Sequence, residues 1–155
     1  MTLGQSMSRS TFEQELKEKG ILVYTNVGSS MCPLIRQGKD VMIIRRPQNW
    51  DAYEGNTVSK VRKLDVPLYR RDSGQYVLHR VVKVTEEGYV LRGDNTYSDE
   101  KGITDQNILG VLTGVIRNGK EMSVDSTKYK LYTYLWYYTY PVRKIVVRIK
   151  RKMQR

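Results

Sequence analysis

A chain of 155 residues weighing 18.1 kDa suits one domain with a modest core rather than two. Its 39% hydrophobic and 28% charged residues give a globular profile and exclude a disordered one. A single cysteine, Cys32, excludes a disulfide framework, and one cysteine with one histidine, His79, excludes a Cys/His zinc cluster.

The polar start from Met1 to Arg9 does not read as a signal peptide, and no run of 18 apolar residues reads as a membrane span. Both features lead us to expect a cytoplasmic protein, at most peripheral at the inner membrane surface. The net charge of +11 is uneven. Ser126 to Arg155 carries nine Lys or Arg and no acid, whereas the preceding 125 residues hold 18 bases against 16 acids. The basicity therefore belongs to the C-terminal segment, and its partner should be anionic.

Ser10, Thr11, Phe12 and Glu13 form a capping-box pattern that predicts a helix from Ser10 to about Lys19, stopped by Gly20. Ile21 to Val27 and Val41 to Ile44 read as strands. Thr57 to Val61 and Val66 to Arg70 are weaker candidates, and Pro67 predicts an edge for the second. Tyr76 to Val84 and Gly88 to Arg92 read as a hairpin turning at Thr85-Glu86-Glu87. Ile108 to Arg117 is a further strand, returning through Asn118-Gly119 into Glu121 to Val124. Many short strands with closely spaced turns predict a mainly β, antiparallel domain over 1–125.

Residues 126–155 differ in character. Seven aromatics fall between Tyr129 and Tyr140, and after Pro141 the residues Val142, Ile145, Val146 and Ile149 recur at helical spacing among basic residues. This predicts an amphipathic helix. Its stripe fits either its own domain or an anionic membrane surface through 129–155; nucleic acid fits less well, because it has no use for an aliphatic face.

Candidate chemistry begins with Ser30, in the small-residue run Val27-Gly28-Ser29-Ser30-Met31-Cys32-Pro33, where the backbone can turn sharply and expose a hydroxyl. A serine hydroxyl at its ordinary pKa needs a neutral imidazole in reach, and His79 is the single histidine available. Cys32 is a competing nucleophile, and Lys39 and Lys60 are alternative bases.

The order Ser30-Met31-x-Pro33, Gly38-x-Asp40-x-Met42, Tyr76-Val-Leu-His79-Arg80-Val-Val and Leu91-Arg-Gly93-Asp94-Asn95 resembles the type I signal peptidases of the Ser-His branch. The resemblance spans about Val27 to Val115. Wider relatives of that fold, the self-cleaving SOS repressors, use a Lys base and carry a DNA-binding domain; neither feature is visible here. The resemblance implies the antiparallel signal-peptidase and repressor-protease β fold. It also implies a serine endopeptidase cutting a precursor or leader peptide, with no metal or cofactor.

On that resemblance Ser30 is the nucleophile, His79 the general base, and Asp94 a buttress in the turn after the base strand. The acid that orients the histidine is Asp99 or Glu100, with Asp99 favoured for its short side chain. The Ser30 N–H supplies one oxyanion donor and the Ser29 hydroxyl is a candidate for the second, since Gly28 occupies the position where some relatives carry a hydroxyl. A carboxylate partner should shift the His79 titration upward. The alternative function is a non-catalytic, membrane-associated peptide-binding module on the same fold.

Overall fold

The computed structural model describes residues 11–52 and 60–154, so the proposed N-cap Ser10 and most of the candidate strand Thr57 to Val61 lie outside the described residues. Helix α1 (Thr11–Lys19) ends at Gly20, whose φ of +71° is the left-handed conformation that glycine adopts without a Cβ penalty. Its Leu16 is fully buried, and truncation to Ala at such a site costs about 2–5 kcal/mol.

Strands β1 (Ile21–Thr25), β2 (Val41–Arg45), β3 (Pro67–Arg70), β4 (Tyr76–Leu78) and β8 (Ile108–Arg117) form an antiparallel sheet in the order β1-β2-β8-β3-β4. Strand β9 (Lys120–Ser123) adds to β8 through the turn Asn118-Gly119, where both residues have positive φ, as a tight hairpin requires. Register shifts at Ile43/Ile44 and Leu68/Tyr69 bend the sheet. Its two outer strands meet a common side chain. The Phe12 ring of α1 lies 4.9 Å from that of Tyr24 on β1 and 5.3 Å from that of Tyr76 on β4.

A second sheet holds β5 (Arg80–Thr85), β6 (Gly88–Arg92) and β7 (Glu100–Ile103). The long strand expected from Tyr76 to Val84 is thus two strands in two sheets, broken at His79. The cause lies opposite it. The β3–β4 register pairs Leu68 with Leu78, which sets His79 across from Pro67, a residue with no N–H to offer the ladder. Pro67 was expected on an edge. It instead opens an interior strand paired with β8, and the β3–β4 ladder stops where its N–H would have continued it.

Two apolar clusters fill the molecule. One gathers Leu16, Leu22, Met31, Ile35, Ile44 and Leu112 beneath α1, and the other sets Trp50, Tyr69, Val81, Tyr89, Leu91 and Ile108 between the two sheets. The basic segment forms two helices, α2 (Thr127–Tyr138) and α3 (Tyr140–Met153). They behave differently. Tyr129 of α2 joins the first cluster and Thr133 is buried beside it, whereas α3 buries no residue. The boundary expected at residue 126 therefore cuts α2 from a core it helps to build.

Candidate active site

Ser30 lies where the chain leaves β1. The Asn26 side chain donates to Gly28 O (2.6 Å) and accepts from the Gly28 N–H (3.3 Å), closing a local turn just before it. The Ser30 carbonyl then accepts the Asn95 N–H at 2.8 Å, and the Asn95 side-chain amide donates to Ser29 O at 3.3 Å. Contact with the turn 93–95 is so close that a Cβ on Gly93 would sit 2.6 Å from Ser30 O. Glycine is required there by space. Downstream, buried Asp40 accepts from Arg36 and Arg117, and Arg117 also donates to the Pro33 and Leu34 carbonyls at 3.0 Å. Burial alone would raise the Asp40 pKa, but the two guanidiniums hold it far below the usual carboxylate range. The serine loop is anchored on both sides.

His79, at the junction of the two sheets, is buried with 9% of its surface exposed. Its Nδ1 lies 3.2 Å from the Tyr69 hydroxyl and 3.7 Å from Glu100 Oε2. The Tyr69 hydroxyl has one proton and gives it to Glu100 at 2.6 Å, so its oxygen is left to accept from His79 Nδ1–H. That assigns the proton to Nδ1 and leaves Nε2 as a free acceptor, the state a general base needs. Arg71 grips Glu100 from the far side at 2.6 and 2.7 Å. Burial lowers the His79 pKa below its ordinary value; Glu100 pulls it up, Arg71 pushes it down again, and Asp94 raises it. The upward shift expected from a carboxylate partner is overturned, because desolvation dominates and Arg71 offsets the carboxylate.

The next residue, Arg80, links the His79 segment to the turn against the serine loop. It pairs with Asp94 at 2.8 Å through both nitrogens, with each side chain 3% exposed. Asp94 also accepts from the Tyr132 hydroxyl (2.9 Å), and its backbone carbonyl accepts from Trp136 Nε1 (2.7 Å) and Arg143 (3.3 Å). Helix α2 thus braces the turn on which Ser30 rests.

Of the two candidate acids, Glu100 stands beside His79. Asp99 faces away, pairing with Arg92 at 2.6 Å and lining a cleft of about 750 Å³ between the second sheet and the α2–α3 joint. Alternation along an extended chain puts these neighbours on opposite faces, so only one could reach His79. Cys32 Sγ donates to the Ile35 carbonyl at 3.4 Å, a local bond within its own loop. Lys60 Nζ donates to the Asp105 carbonyl at 2.8 Å, and Lys39 is exposed in the turn after Gly38. Neither lysine meets Ser30. Among the described residues no three His, Cys, Asp or Glu converge on a metal site.

Tyr69, Arg71 and Asp40 were missed as site residues by sequence reasoning. Tyr69 and Arg71 stand two apart on one face of their segment, a spacing that links them only once a partner for His79 is sought there. No family model matches the chain, and neither does any curated protein or solved structure.

Proposed function

We propose that this chain is a serine endopeptidase of the signal-peptidase type, cutting a precursor or leader peptide through Ser30 and His79, with Glu100 as the orienting acid. The observation that carries this reading is the clamp. The turn Gly93-Asp94-Asn95 bonds the Ser30 backbone on one side and, through Arg80, grips the residue next to His79 on the other. This shared turn, bonded to the Ser30 backbone and to the neighbour of His79, is what supports the pairing of the two.

In the proposed mechanism His79 Nε2 takes the Ser30 hydroxyl proton as Oγ attacks the scissile carbonyl. The resulting imidazolium is stabilised by Glu100 through the Tyr69 oxygen, and its proton passes to the leaving amine. Water then hydrolyses the acyl-enzyme with the same base. The Ser30 N–H, which donates to no group among the described residues, is available to the oxyanion. A peptide would add as an extended strand along the open edge of β1, where Val23 and Val27 are exposed just before the serine.

A non-catalytic peptide-binding module is the second reading. It is favoured by one observation: among the described residues no hydrogen bond joins Ser30 Oγ to His79. Unliganded peptidases often close that bond only around substrate. Labelling with a serine-reactive phosphonate separates the two. Covalent modification lost in Ser30→Ala and in His79→Ala supports the peptidase, and cleavage by each variant should fall by roughly three orders of magnitude or more, with little further loss in the double variant. Peptide binding without labelling supports the module.

A further inference from the structure

Thr139 closes α2 and opens α3, and its carbonyl accepts the Arg143 N–H at 3.0 Å, so the two helices follow one another directly. Along them Leu131, Leu135, Tyr138, Val142, Ile145 and Ile149 follow one another at steps of four and three. Each is between 52% and 71% exposed, and an aliphatic run of this length is costly to leave in water. Most large exposed apolar side chains of the described residues lie on these two helices. The opposite side of α2 is occupied, since it carries Tyr129 and Thr133 into the core and Tyr132 and Trp136 to Asp94.

We propose that the exposed face of α2 and α3 lies on an anionic lipid bilayer, in the plane of the interface. Charge decides the occupant. Residues 126–155 contain no acid, and the two helices expose Lys128, Lys130, Arg148, Lys150, Arg151 and Lys152 beside the stripe, which complements anionic headgroups. A second copy of the chain would pair the same face with itself and set cation against cation, without the opposite charges that flank helix–helix seams. Nucleic acid would use the cations and leave the stripe in water. Because the inner side of α2 braces the turn under Ser30, a docked chain would hold that turn about one helix diameter, roughly 10 Å, from the lipid. If the peptidase reading holds, its substrate would be cut close to the headgroup layer; the docking itself does not depend on that reading.

The test is flotation of the full chain with phosphatidylcholine vesicles, with and without phosphatidylglycerol. The expected result is binding to the anionic vesicles that weakens about fivefold for each base neutralised in Lys150→Gln, Arg151→Gln and Lys152→Gln. Ile145→Glu with Ile149→Glu should abolish binding while leaving the circular dichroism spectrum unchanged, since both side chains already face solvent. Wild-type affinity in the isoleucine variant overturns the proposal. So does failure of the full chain to bind anionic vesicles, a dimer in solution dispersed by the isoleucine variant, or duplex DNA binding in place of vesicle binding. Phosphonate labelling of Ser30 in the unbound isoleucine variant reports on the peptidase separately.

Discussion

The turn 93–95 and His79 each border a bidentate arginine–carboxylate pair, and the two pairs have nearly equal geometry and very different surroundings. Arg80–Asp94 is enclosed, with both partners 3% exposed and the Tyr132 hydroxyl donating to the Oδ2 that Arg80 also holds. Arg71–Glu100 is half open, at 34% and 22%, and its carboxylate is shared with Tyr69 beside His79. The enclosed pair holds backbone; the open pair tunes the His79 ring beside it. Burial makes the difference, because a charge deprived of its partner in the interior cannot turn to water, whereas one at the rim can.

The sharpest break of this comparison is Asp94→Ala. It strands the Arg80 guanidinium, burial of which is tolerated through Asp94, and should cost about 3–5 kcal/mol in a urea titration. A loss below about 1 kcal/mol would make the two pairs equivalent and undo the contrast.

Glu100→Gln should do the reverse, leaving stability within about 1 kcal/mol while lowering kcat. An orienting acid costs less than the base it serves, so the drop should be roughly a hundredfold smaller than that of His79→Ala. Asp99→Asn in the same assay should leave kcat near wild type. The opposite ranking would return the orienting role to Asp99.

Tyr69→Phe removes the oxygen between Glu100 and His79 and should lower kcat about tenfold, the worth of one buried hydrogen bond. The pH profile gives a finer reading. His79 titrates below its ordinary 6.5, so the neutral base persists to lower pH and the acid limb of kcat/KM should have its midpoint under 6.5. Glu100→Gln removes a charge that raises this value and leaves Arg71 to lower it, so the limb should move further down. The linked stability has the same sign. Below about 6.5 the unfolded chain binds the proton more readily, so this contribution is full above that pH and declines as pH falls through it. Activity still climbing above about pH 9 would point to a lysine base instead. Smallest of all is Cys32→Ala, expected to keep most activity, since its thiol donates to Ile35 O within its own loop.

Periodicity and turn chemistry determined much of this protein. The helix ending at Gly20, the strands around Val41 and Ile108, the Asn118-Gly119 hairpin and the helical stripe after Pro141 are local patterns, and each element formed where its residues indicate. Residue order also nominated Ser30, His79 and Asp94; the turn that holds Asp94 bonds the Ser30 backbone and Arg80, the neighbour of His79. What only the tertiary structure decided were matters of partnership. Proline opposite His79 split one apparent strand between two sheets, and the choice of Glu100 over Asp99 depended on which face of β7 meets Tyr69. The aromatic segment divided into a buried brace and an exposed face according to what each helix packs against. The direction of the His79 shift belongs with these, since desolvation and the countercharge of Arg71 come from residues brought together by folding, and no spacing along the chain encodes them.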